Sequence, residues 1–217
     1  MAGALPDIPR TEFVDQVCAL SPVPLEEPAL AALWCHYQEL RRWNPRLSLI
    51  GPGTLSEVMS RHYGESLQAL PFLAGGSGRL LDVGSGAGFP GLVIAACRRD
   101  LEVTLVEPRE RKWTFLRTVT HRAALSCHCL RARVPPAAPE DLPVDVSWVT
   151  LRAVRLAPRD LATLARYLAP EARLLLWTGG DAPELPAGFQ VGGSQLLPGS
   201  QKRRILEVSY RGAPASD

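Results

Sequence analysis

The chain has 217 residues, 46% of them hydrophobic and 21% charged, with a formal net charge of +2. No apolar run nears the roughly 20 residues of a membrane span, the opening "MAGALPDIPR" lacks the apolar core of a signal peptide, and five cysteines, an odd number, fit reduced thiols in the cytoplasm better than a disulfide scaffold. The small net charge does not by itself announce a nucleic-acid partner, although only Lys112 and Lys202 of the 24 basic residues are lysines, and arginine forks suit phosphate and guanine edges.

Two zones follow one another. Residues 1–75 read as a helical cap. "TEFVDQVCAL" (11–20) has a candidate N-cap at Thr11, and "PALAALWCHYQELRRW" (28–43) carries apolar residues at helical spacing. "TLSEVMSRHYGESLQAL" (54–70) opens with Thr54 and Glu57, the capping-box pair in which each side chain satisfies an exposed backbone amide. The intervening "NPRLSLIGPG" holds proline and glycine that exclude one continuous helix, and "AGGSG" (74–78) is a flexible joint.

Residues 76–217 read as a second zone of alternating strands and helices. Strands are expected at "RLLDVG", "EVTLVE" (102–107), "CHCLRA" (127–132), "DVSWVTLR" (145–152) and "ARLLLWTG" (172–179). Helices are expected at "GLVIAACRRD", 109–125 and 158–169, with a Pro-rich loop "PPAAPEDLP" and a closing hairpin, "FQVGGSQLLP" with "RRILEVSYR". Strand–helix alternation implies right-handed crossovers and a parallel sheet, to which the hairpin adds an antiparallel edge. The expected fold is therefore α/β, a Rossmann-like sheet under an N-terminal helical cap.

In such sheets ligands bind beyond the carboxyl ends of the strands. Strand one ends in "LLDVGSGAGFPG" (80–91). Gly84, Gly86 and Gly88 present backbone without side chains, and the loop runs into a helix N-terminus, where partial positive charge gathers. Two cofactors compete. Gly86, Gly88 and Gly91 fit the dinucleotide fingerprint G-x-G-x-x-G. In the other register, D-x-G-x-G-x-G starting at Asp82 resembles the S-adenosylmethionine loop of methyltransferases, with the carboxylate near the amino-acid end of the cofactor. Glu107, ending strand two, is placed to accept hydrogen bonds from ribose hydroxyls under either reading.

"WNPRLSLI" (43–50), "RHYGESL" (61–67), "LLDVGSGAGFPGLVIA" (80–95), "VEPRERKWTFL" (106–116) and "LRAV" (151–154) together resemble the ribosomal small-subunit methyltransferase G family, also called glucose-inhibited division protein B. The resemblance covers most of residues 40–180, in order. It implies transfer of a methyl group from S-adenosylmethionine to N7 of a guanine in 16S ribosomal RNA, on naked RNA, an assembly intermediate or the finished small subunit, by a cytoplasmic monomer. It also implies cofactor contacts from Phe89 and from Ala132-Arg133 beside the adenine, and a site arginine at Arg152 that holds the methionine carboxylate, the guanine or a phosphate. The chain departs from the family pattern at Glu65 (usually Asp), Leu151 (usually Ser), Arg133 (usually Glu) and Thr178 (usually Lys). An NAD(P)-binding oxidoreductase of similar fold and a non-catalytic RNA-binding or assembly protein are the alternatives.

The remaining candidates are contacts for RNA. Asn44 and Arg46 sit in the Pro-containing loop, where Asn44 is equally a local cap. His62 lies in a helix and is as readily a packing residue. Arg111 and Lys112, with Arg109, Arg131 and Arg133, form either a phosphate-binding rim or an exposed helix face. Cys127, His128 and Cys129 alternate along a strand, so His128 points away from both thiols and no metal site is expected. Trp113 and Trp148 are expected in the core.

Overall fold

The computed structural model describes residues 5–51, 53–134, 141–154, 156–180 and 183–212. Part of the predicted Pro-rich loop, residues 135–140, lies outside them. The first zone folds as helices α1 (Arg10–Leu20), α2 (Glu27–Leu47) and α3 (Leu55–Val58), a π-helical stretch Met59–Gly64, the short α4 (Glu65–Leu67) and a 3₁₀ turn Leu70–Leu73. The second zone follows as β1 (Gly78–Val83), α5 (Gly91–Cys97), β2 (Leu101–Val106), α6 (Glu110–Arg122), β3 (Cys127–Leu130), β4 (Val146–Arg152), α7 (Pro158–Leu164), β5 (Leu168–Thr178), β6 (Phe189–Leu196) and β7 (Arg204–Tyr210).

The strands form one sheet in the order β3-β2-β1-β4-β5-β7-β6. The first five are mutually parallel. The hairpin adds the antiparallel pairings, with β7 inserted between β5 and β6. The α/β expectation therefore holds, with one refinement: the antiparallel strand lies one place in from the edge.

Two hydrophobic cores cover the sheet. On one face Leu80, Val103, Leu105, Trp148 and Ile205 pack with α5, α6 and the cap. On the other, Leu81, Val83, Val149, Leu174 and Val208 pack under α7 and the neighbouring loops. Neighbouring strand residues such as Leu80 and Leu81 thus serve opposite cores, which is why the central strands read as unbroken apolar runs. The cap shares the first core with the sheet. Phe13 of α1 anchors it, in ring contact with Trp34, Tyr37 and Tyr63 at 5.1–5.3 Å.

Three local expectations are corrected. The residue ahead of α1 is Pro9, and Thr11 makes no cap. Helix α2 runs past its expected end at Trp43, through Pro45 to Leu47, and stops where Ser48 turns left-handed at φ 47°, so no continuous helix joins it to α3. The helix expected over 54–70 keeps its Thr54–Glu57 capping box but widens into the π stretch after one turn.

Candidate functional site

The loop between β1 and α5 is held almost entirely by backbone. Gly84 and Ser85 both donate to the Val106 carbonyl, Gly88 donates to Ser85, and Leu92 donates to Gly88. The glycines have distinct reasons. A Cβ at Gly84 would sit 2.5 Å from Val154, one at Gly88 would overlap Leu92, and one at Gly91 would overlap Asp82 and Leu105. Gly86 differs. It has φ +56°, and the nearest atom to an added Cβ is the Gly84 carbonyl at 3.7 Å, so open space lies over the loop at this position. The Ala87 amide next to it has no hydrogen-bond acceptor among the described residues.

Glu107 follows β2 and is buried. One oxygen accepts from the Gly86 amide at 3.0 Å and the other from the Arg109 amide at 2.9 Å. Each carboxylate oxygen has a second lone pair, so capacity to accept from a ligand remains. Asp82 lies beneath the loop, 1% exposed. Its Oδ1 accepts from the Thr150 hydroxyl at 2.7 Å, while Oδ2 is buried against the Gly91 backbone and makes no well-formed hydrogen bond among the described residues. Burial raises its pKa to about 6, against the pull of the Thr150 hydrogen bond.

Arg152 stands at the carboxyl end of β4 and is largely buried. It is engaged throughout by the cap. Its Nη2 donates to Glu65 at 2.9 Å and to the Arg61 carbonyl, and its Nη1 donates to Ser66 Oγ at 3.3 Å and to the His62 carbonyl at 3.4 Å. Glu65, itself buried, uses its other oxygen for Arg203 at the start of the β7 region. Trp177 at the end of β5 donates from its indole to the Glu65 carbonyl at 3.0 Å. The wide π turn thus presents the carbonyls of Arg61 and His62 to the sheet, and Glu65 ties β4 and β7 to the cap. The guanidinium groups of Arg152 and Arg203 share this carboxylate, and the charge of Arg61, near enough to lower the pKa of both, leaves surplus positive charge at this rim.

His62 is half-buried, its ring stacked on Phe89 at 5.0 Å and 26°. Burial and the nearby Arg152 and Arg61 lower its pKa to about 3, so it is neutral at physiological pH. Phe89 is buried among His36, His62 and Tyr63. Beside the loop, at the carboxyl ends of β4 and β5, a cavity of about 650 Å³ is lined by Leu151, Val154, Leu161, Trp177 and Thr178 among others. That volume is in the range of small-molecule sites.

The structure therefore gathers Asp82, Gly84, Gly86, Gly88, Phe89, Glu107, His62 and Arg152 at one end of the sheet. It does not bring Asn44 with them as a surface group. Asn44 is fully buried and accepts from the Ile50 amide at 2.9 Å, so the reading of it as an RNA contact gives way to the local-cap reading. Arg46, Arg111 and Arg133 are exposed and Lys112 is half-exposed. Ala132 packs on the second core. Trp113 is half-buried, with Arg117 and Arg131 over its ring at 4.9 and 5.8 Å. Sequence reasoning passed over His36 and Tyr63. The one available signal was the spacing of Leu33, His36, Tyr37 and Leu40, which puts His36 on the apolar stripe of α2.

The family model for GidB, rRNA small subunit methyltransferase G, matches residues 30–184. Among curated proteins, a ribosomal RNA small subunit methyltransferase G from Desulfotalea psychrophila is 36% identical over 168 residues, covering 75% of each chain. One of the same name from Methylobacterium radiotolerans is 33% identical over 201 residues, covering 89% of this chain and 87% of its own. Among solved structures, TrmN from Thermus thermophilus aligns with a TM-score of 0.53 at 21% identity, over 70% of this chain and 53% of its own, a likeness of fold.

Proposed function

Since the chain belongs to the rRNA small subunit methyltransferase G family, we propose that it transfers a methyl group from S-adenosylmethionine to N7 of a guanine in 16S ribosomal RNA. The observation that carries this reading is the opening over Gly86, flanked by the Glu107 carboxylate and the Ala87 amide. A glycine whose Cβ would meet only open space, between an acceptor suited to ribose hydroxyls and an unengaged donor, fits a nucleoside cofactor. The family does not favour a nicotinamide enzyme, although the glycine pattern alone allowed one.

S-adenosylmethionine, when bound, supplies an electrophilic methyl on sulfonium. Guanine N7 is a lone-pair acceptor without a proton, so no general base is required. The residues agree: His62 is neutral but half-buried against Phe89, and the site holds no nucleophile–base pair among the described residues. What the chain contributes is alignment and exclusion of water, effects that can reach roughly 7–11 kcal/mol in well-oriented reactions. Glu107 would hold the ribose and the loop amides the amino-acid end. Asp82, from below, fixes Thr150 and the base of the loop. Ala132 and Arg133 follow β3 where the adenine edge would lie. The cavity walled by Leu151, Val154 and Trp177 would take the target base.

RNA would approach over the surplus charge at Arg61, Arg152 and Arg203 and over the outer surfaces of α2 and α6. There Arg42, Arg46, Arg109, Arg111, Lys112 and Arg117, and Arg133 after β3, have no ion pair among the described residues. No helix among the described residues is long and apolar enough to cross a membrane. The deciding experiment incubates the purified chain with labelled S-adenosylmethionine and either 16S RNA or small subunits, then maps 7-methylguanosine. Label on one guanine confirms the proposal. Cofactor binding with no label on either substrate would overturn it in favour of a non-catalytic RNA-binding protein.

A further inference from the structure

Among the described residues, the hydrogen bonds of the glycine loop come from the sheet, from Glu107 just after β2, from the loop itself or from α5, with one exception. His36 of α2, 2% exposed, reaches across from the cap, and its Nε2 lies 2.8 Å from the Ala87 carbonyl. Its Nδ1 lies 3.2 Å from the hydroxyl of Tyr63, a fully buried residue of the π stretch.

The chemistry assigns every proton. A carbonyl only accepts, so Nε2 carries the hydrogen. In a neutral imidazole Nδ1 is then an acceptor, so the Tyr63 hydroxyl donates. Burial lowers the His36 pKa to about 4 and raises that of Tyr63 well above 10, so the relay stays neutral across physiological pH. The opposite tautomer would set an imidazole lone pair against the Ala87 carbonyl and leave that carbonyl without its partner.

The Ala87–Gly88 peptide is pinned at both ends, its carbonyl by His36 and the Gly88 amide by the Ser85 carbonyl at 2.7 Å. Rotation of that peptide would carry the neighbouring Ala87 amide, the unengaged donor, out of place. We propose that His36 is a positioning residue for the cofactor loop and that Tyr63 selects the tautomer in which it works. This rests on the reading of the loop as the S-adenosylmethionine site.

The test uses the full chain and S-adenosylhomocysteine as the probe. Tyr63→Phe removes one oxygen and should weaken binding about three- to tenfold, the scale of one neutral hydrogen bond, with cooperative unfolding retained. His36→Leu should weaken it more, and His36→Gln, which restores an N–H donor, should recover most of the loss. Nitrogen-15 spectra of histidine-labelled protein should show a neutral Nε2–H ring for His36 in the wild type and a growing share of Nδ1–H in Tyr63→Phe. The spectrum keeps the test open even if His36→Leu does not fold.

Wild-type affinity in both Tyr63→Phe and His36→Leu would overturn the role of His36, as would an Nδ1–H ring in the wild type or a His36→Gln variant no better than His36→Leu. A wild-type chain that binds no S-adenosylhomocysteine would instead overturn the cofactor reading on which the role rests.

Discussion

Glu65→Gln tests the junction between cap and sheet. The Glu65 side chain is 7% exposed and its two oxygens face Arg152, 16% exposed, and Arg203, 34% exposed. Glutamine keeps the shape, offers one acceptor instead of two, and turns an amide donor toward a guanidinium. It also removes the carboxylate that Arg152 and Arg203 share, with the charge of Arg61 close by. Breaking a buried ion pair on one side costs about 3–5 kcal/mol. Arg152 keeps the Arg61 and His62 carbonyls and Ser66 Oγ as acceptors, and Arg203 is partly solvated, so the low end applies, about 3 kcal/mol. In a chain of this size that corresponds to a fall in melting temperature of roughly 6–12 °C. Circular dichroism melts and urea titrations of the two proteins measure it. Glu65→Asp, which retains the charge, should lose less than Glu65→Gln. A Glu65→Gln melt within ~1 °C of wild type would refute the claim that this carboxylate holds the cap, since even 1 kcal/mol moves the midpoint by about 2–4 °C.

Gly86→Val should abolish binding of S-adenosylhomocysteine by calorimetry while the protein stays folded, because the branch enters open space over the loop and resists φ +56°. Glu107→Ala should weaken that binding by about 1–3 kcal/mol and cost stability as well, since the Gly86 and Arg109 amides both lose their acceptor; a folded variant with wild-type affinity and melting would count against it. Between pH 6.5 and about 4, unfolded His36 and His62 bind protons that the folded protein excludes, so stability falls as pH falls through that window. Asp82, with its pKa raised to about 6, works in the opposite direction, leaving a net loss on the order of 1 kcal/mol per pH unit near pH 5. Urea titrations at pH 7.5, 6 and 5 follow it, and His36→Gln should flatten the slope.

The sheet was readable because its strands are short, apolar on both faces and separated by unambiguous turn residues. The gathering of Asp82 and Glu107 around a glycine loop was readable in the same way, since residue type and strand end coincide there. The cap was less readable. Proline at position 45 marks a helix stop by propensity, but the lost amide falls in the last turn, where the tertiary contacts of Trp43 and Asn44 outweigh it. The π stretch leaves no trace in periodicity, because six residues widen a helix that is apolar on its inner side throughout. The position of Arg152 at the carboxyl end of β4 was legible but its clamp on the cap was not, because its partners Arg61, His62, Glu65 and Ser66 lie some 90 residues away. His36 was hidden by its surroundings, as a histidine on an apolar stripe reads as core until the carbonyl it reaches is seen.

The position of β7 has a consequence for how the molecule comes to be made. The last strand among the described residues fills the gap between β5 and β6, so β6 has no strand partner and β5 pairs only with β4 until residues 204–210 have left the ribosome. Throughout synthesis of residues 179–203, β5 presents an open apolar edge, the kind of template that invites pairing with another chain. Arg203 arrives at the same late moment. The nascent chain can build the glycine loop and most of the parallel sheet early, but Glu65 has both its arginines only once Arg203 has been made. Completion of the sheet and closure of the cap over its carboxyl edge thus fall together, after the parallel strands have formed.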